Sequence, residues 1–81
     1  MERVRFAARN RLLIHLEYDG RHRLVEPYSL RMPKTGNLLL YVYEVERDGA
    51  PSGGIKAFKV AKLGGVALTE RSFTPRYHVE L

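Results

Sequence analysis

The sequence predicts a small, mainly β domain: a closed barrel of five short strands preceded by a short helix. Three observations carry this. Apolar residues change from helical spacing to strict alternation at Leu12. Turn signals then recur roughly every 8–12 residues, as in small barrels. Apolar, β-branched and aromatic residues concentrate in the run LLLYVYEVER, which favours a strand over a buried helix. The 81 residues suffice for one domain and are too few for two.

The helix is expected over about 2–10, where Val4, Ala7 and Ala8 fall on one face among Arg3, Arg5 and Arg9. Asn10 would close it in a left-handed conformation. The barrel is expected over about 12–70. In its first strand Leu12, Ile14, Leu16 and Tyr18 alternate with Leu13, His15, Glu17 and Asp19. Asp19-Gly20 signals a hairpin turn. The second strand, Arg21 to Met32, contains Pro27, which cannot donate to a ladder and implies a bend, a bulge or an edge. Pro33 to Asn37 is a loop, Leu38 to Arg47 the third strand, and Asp48 to Gly54 a loop. Ile55 to Leu63 is the fourth strand, Gly64-Gly65 a tight connection, and Val66 to Glu70 the fifth strand. The tail, 71–81, is expected to pack along the barrel. In so small a barrel side chains fill the interior, so ligands must use outer faces and loops.

Composition narrows the function. With 44% hydrophobic and 28% charged residues the chain has the makings of a core, which argues against disorder. It has no cysteine, which excludes disulfides, thiol nucleophiles and thiolate zinc sites and fits a cytoplasmic protein. No apolar run approaches the roughly 20 residues of a membrane span, and the N-terminus lacks a signal-peptide core. The net charge of +5 draws anionic partners.

Motifs for catalysis are missing. His15, His22 and His78 are scattered, and His15-Leu16-Glu17 lacks the cysteine half of a zinc-deaminase signature. His15 and Glu17 read as a solvated pair. No serine sits in a nucleophile elbow, and no glycine pattern makes a phosphate loop. Glu44 and Glu46 share a face by alternation and read as exposed acids. The expectation is a protein that is not an enzyme and needs neither cofactor nor metal.

Binding features remain. IKAFKVAKL spaces Lys56, Lys59 and Lys62 every third residue with no acid between them. Alternation puts Lys56, Phe58, Val60 and Lys62 on one face, a surface for phosphate contact and stacking if Phe58 is not in the core. Arg21 and Arg23 lie beside Tyr18, with Arg31 further along, and tyrosine with arginine suits base stacking plus phosphate contact. Here Tyr18 could instead finish a buried stripe while the arginines are solvated. Tyr41 and Tyr43 share a face, as a stacking platform or as one wall of a core.

The runs LEYDGRHRLVEPYSL, TGNLLLYVYEVER, IKAFKVAKLGGV and FTPRY, in this order and with the opening helix RFAARN, resemble a WYL domain over nearly the whole chain. Tyr18, Glu26-Pro27 and Phe73-x-Pro75 are the most specific parts. The triplet that names the family stands here as Leu38-Leu39-Leu40. Its basic strand stands as Lys56 to Leu63, with lysines for arginines and Ala61 for an acid. The resemblance implies an Sm-like (Src-homology-3-like) barrel and a ligand-sensing module of bacterial transcriptional regulators or phage-defence systems. Its implied partner is single-stranded nucleic acid or a nucleotide-like, phosphorylated ligand. The residues expected to bind are Tyr18, Arg21, Arg23, Arg31, Tyr43, Lys56, Lys59 and Lys62. The chain shows no helix-turn-helix pattern, so promoter reading would fall to a parent regulator. The alternative expectation is a protein-interaction or homodimerisation module working through open strand edges.

Overall fold

Two turns of the same chemistry set up the sheet. Asp19-Gly20 and Asp48-Gly49 both hold positive φ at each residue (52° and 71°, 52° and 80°). That is the two-residue hairpin geometry whose twist matches the flanking strands, and glycine takes its second position without strain. The first was legible as a hairpin. The second lies in a segment expected to be loop, yet it carries the same signal and reverses the chain into a two-residue strand.

The computed structural model describes residues 1–81. Its elements are α1 (Glu2–Arg9), β1 (Leu12–Tyr18), β2 (Arg21–Arg31), β3 (Leu39–Arg47), β4 (Ala50–Pro51), β5 (Ile55–Lys59), a 3-10 turn (Val60–Lys62) and β6 (Gly64–Ser72). The antiparallel sheet runs β6-β1-β2-β3, and both β4 and β5 pair with β3. The sheet curls into a half-barrel, and no ladder joins β5 to β6.

The inner face carries Ile14 and Leu16 of β1, Val25 of β2, Leu40 and Val42 of β3 and Phe58 of β5, with Val4 and Ala7 of α1 packed against them. Phe58 is therefore core. The helix forms because its apolar residues share one stripe, with Glu2 in the first turn and Arg9 in the last complementing its dipole. Asn10 is not left-handed (φ −98°); Arg11 takes that conformation at φ 56°.

Pro27 lies in a strand flanked by β1 and β3, but β1 pairs with β2 only as far as Val25. Beyond that point β2 has one partner, β3, and a missing N–H costs no ladder bond on the open side. A bulge at Tyr28 follows, between the pairs Pro27–Val42 and Ser29–Tyr41.

Three further departures from alternation matter. A bulge at Val45 pairs Glu44 with Val25 but Glu46 with Leu24, so the two glutamates face opposite sides of the sheet. Glu44 is fully buried, contrary to the expectation of an exposed acid. The fourth predicted strand stops at Lys59, and the 3-10 turn takes Lys62 off the face shared by Lys56 and Phe58. Leu63 and Val60 still pack on the core from that turn. Finally, β6 is longer than predicted and heavily bulged, with four residues spaced against two of β1. There the Thr69 hydroxyl donates to the Leu13 carbonyl at 2.6 Å, standing in for a ladder bond.

Candidate ligand-binding cleft

The outer face of β2, β3 and β5 is built in cross-strand rows. Glu26, Tyr43 and Ile55 form one row, Ser29, Tyr41 and Ala57 the next, and Arg31, Leu39 and Lys59 the third. This follows from register, since paired residues share a face. Tyr41 and Tyr43 thus lie opposite the core residues Leu40 and Val42, and are not one of its walls.

The tail crosses this face, as expected, and Tyr28 fastens it. The Phe73 and Tyr77 rings meet Tyr28 edge-on at 5.8 and 5.4 Å. The Arg76 amide donates to the Tyr28 hydroxyl at 2.9 Å, and that hydroxyl donates to Glu26. Arg76 then donates from Nε to Glu26 at 3.2 Å, and its guanidinium lies 4.0 Å from the Tyr43 ring centroid. The Glu80 amide donates to the Tyr28 carbonyl at 2.9 Å, using the side of β2 that β1 leaves free. Burial, reinforced by the hydrogen bond to Glu26, pushes the Tyr28 hydroxyl up to about 12.

Between tail and sheet lies a cleft of about 420 Å³. Tyr28, Tyr41 and Tyr77 supply aromatic walls, Ser29 and Arg31 the strand side, His78 and Glu80 the tail side. Arg31 donates to Glu80 at 2.7 Å, and both side chains are about half exposed. The volume falls within the range of small-molecule sites, which combine apolar walls with a few convergent polar groups.

The eight residues predicted to bind fall in four places. Tyr18, Arg23 and Lys56 lie on the inner side, Lys56 opposite Val42: Tyr18 stacks on Phe58 with ring centroids 4.4 Å apart, and the Tyr18 carbonyl accepts from Arg23 at 3.1 and 3.3 Å. Arg23 is buried and donates to Glu44 at 2.8 Å. The Tyr18 hydroxyl accepts from the Lys59 amide at 3.1 Å. Burial alone would raise the Glu44 carboxyl, but hydrogen bonds from Ser52 and Arg23 and the charges of Arg23 and Lys56 hold it below its ordinary value. Arg21 sits at the hairpin end, 3.2 Å from Asp48. The His22 amide, together with Arg21, lowers the Asp48 carboxyl. Arg31, Tyr43 and Lys59 belong to the outer face, while Lys62 sits apart on the 3-10 turn.

Sequence reasoning did not find Tyr28, Arg76 and Tyr77 as a unit. Glu26-Pro27 and Phe73-x-Pro75 mark the two segments that meet, but 50 residues separate Glu26 from Arg76. The histidines do not converge: His15 and His22 flank a shallow depression with Glu46, and His78 is on the tail. Glu17 pairs across the ladder with His22 at 3.7 Å, rather than with His15. No helix is long and apolar enough to cross a membrane. No family model, curated protein or solved structure matches the chain.

Proposed function

We propose that this domain is a non-enzymatic sensing module for a nucleotide-like, phosphorylated ligand or an unstacked base of single-stranded nucleic acid. The observation that carries the reading is the tyrosine-walled cleft with Arg31 at its rim. Aromatic walls accept the face of any nucleobase. Arginine offers a planar fork to phosphate, and Lys59 lies in the same cross-strand row to add charge.

Sensing follows from what an anion would displace. An exposed ion pair such as Arg31–Glu80 is worth about 0–1 kcal/mol, so exchanging Glu80 for a phosphate costs little. Glu80 belongs to the tail. A ligand that takes Arg31 from it removes one of the tail's side-chain anchors, turning occupancy into a change a neighbouring domain or partner can read.

The same reading places the fold among Sm-like barrels and the chain among WYL domains that serve bacterial transcription or defence. Its support is the strand order β6-β1-β2-β3-β5, the 3-10 turn bridging the two outer strands, and the residue runs noted above. The alternative, pairing through open edges, finds little support. β6 is twisted by bulges and β5 is five residues long with two lysines, both devices that blunt an edge.

Calorimetric titration with adenosine monophosphate tests the proposal. Binding is expected, weakening about fivefold or more in Tyr41→Ala from lost stacking. Arg31→Ala should weaken it as well, and more so at low salt. No binding, or binding indifferent to Tyr41→Ala, overturns it.

A further inference from the structure

The arginines of the N-terminal helix differ from most arginines of the sheet and tail in what they pair with. Arg21, Arg23, Arg31 and Arg76 each have a carboxylate partner. No carboxylate reaches Arg3, Arg5, Arg9 or Arg11, the four arginines in and just after α1. The helix buries Val4, Ala7 and Ala8, which turns Glu2, Arg5, Phe6 and Arg9 outward along one stripe (i, i+3, i+4, i+7). Arg3 leans aside to donate to the Val66 carbonyl at 3.1 Å, and Arg11 donates to the Ala8 carbonyl. Arg5 and Arg9 bond to nothing in the chain and stand one turn, about 6 Å, apart. Phe6 lies between them, 52% exposed. Arg71 adds charge nearby, since Ser72 pairs with Leu12 and the Phe73 amide donates to the Arg11 carbonyl at 2.9 Å. Two acids flank the patch: Glu2 at the helix start and Glu70 beside Arg71.

We infer that the outward face of α1, Arg5–Phe6–Arg9, is a second nucleic-acid contact, one that takes a single strand by two phosphates and a stacked base. The sheet buries the helix's apolar stripe, so the exposed face has no apolar area beyond Phe6 and Met1 with which to enter a membrane. A large aromatic left half exposed between two unpaired arginines matches the alternation of phosphate and base along an unpaired strand. A duplex keeps its base faces stacked and would leave Phe6 unused. This face is separate from the cleft, and each can fail alone.

The test is fluorescence anisotropy with a labelled oligothymidylate of about ten nucleotides. The intact chain is compared with Arg5→Gln/Arg9→Gln, which keeps helix propensity, and with Lys34→Gln/Arg47→Gln, which removes equal charge elsewhere. Loss of two phosphate contacts should reduce the slope of log affinity against log salt by about 1.4, with little change in the Lys34/Arg47 control. Phe6→Ala should weaken the single strand about fivefold or more and leave a duplex of equal length unchanged. The inference is overturned if the intact chain does not bind the oligonucleotide, or if both double variants weaken it equally. It is also overturned if Phe6→Ala changes nothing. Because adenosine monophosphate reports on the cleft, a helix variant that loses the oligonucleotide but keeps the mononucleotide separates the two surfaces.

Discussion

Two buried glutamates, one on each side of the sheet, are neutralised by arginines in contrasting ways. On the inner side Glu44 is met by Arg23 and Ser52, and the pair's side chains are only 0% and 8% exposed. Every partner is part of the folded sheet or the turn beside it, so this cluster cannot open without unfolding. On the outer side Glu26 is equally buried, but its cation comes from the tail, and Arg76 is half exposed. One cluster ties strands of the sheet to one another and the other fastens the tail to the sheet. Burial of a carboxylate alone therefore does not say how far its cation is shielded from water; the exposure of its partner does.

Breaking the inner cluster has the largest expected effect. Arg23→Ala leaves Glu44 buried without its cation, and about 3–5 kcal/mol of stability should be lost in urea unfolding. A double replacement, Arg23→Met with Glu44→Leu, should recover most of this, because an apolar pair incurs no desolvation penalty. Failure to recover would mean that the ion pair also specifies the register around the Val45 bulge.

Acid probes the same cluster. The Glu44 carboxyl is held below its ordinary value, so the unfolded chain takes up its proton first. Its contribution should be fully present above the ordinary carboxylate value of about 4.3 and be lost as pH falls through the lower folded value. In Glu44→Gln that part of the acid dependence should vanish, which denaturant melts across the acid range would show.

The outer cluster should respond more gently. Tyr28→Phe removes a donor to Glu26 and an acceptor for the Arg76 amide, costing about 1.5–3 kcal/mol. Its signature should be local: protection of the Arg76 and Glu80 amides from hydrogen exchange falls before that of β1 and β3. At high pH the sign is that of a raised group. The contribution of Tyr28 is complete below the unfolded value of 10.0 and lost as pH rises through about 12. The smallest effect belongs to Arg31→Ala, where an exposed pair is removed. Thermal melts should shift by less than about 0.5 kcal/mol while ligand binding weakens, separating the site from the scaffold.

Much of the fold was legible because it is locally encoded. The Asp19-Gly20 hairpin, the helical stripe of Val4, Ala7 and Ala8, and the alternation of Leu12 to Tyr18 each need only neighbours in the chain. Asp48-Gly49 carries the same local signal, but the proline, serine and glycines that follow it resemble a loop. The pairing of Arg23 with Glu44 was not readable, since a bulge at Val45 reverses the facing of Glu46. A one-residue slip in a period of two changes which acid enters the core. The cleft was the least visible, because it exists only where the tail returns to β2.

What the sequence determined by itself is a small β domain: where the helix and most strands begin, one hairpin turn, a basic surplus, and the lack of any catalytic motif. Those properties depend on side-chain type at short spacing. Tertiary structure alone decided which charges are free. All three arginines expected to bind are tied to carboxylates of other segments, while Arg5 and Arg9 of α1, ordinary in sequence, are left open. Charge is written into the chain, but whether a charge is paired depends on what folding brings within reach of it.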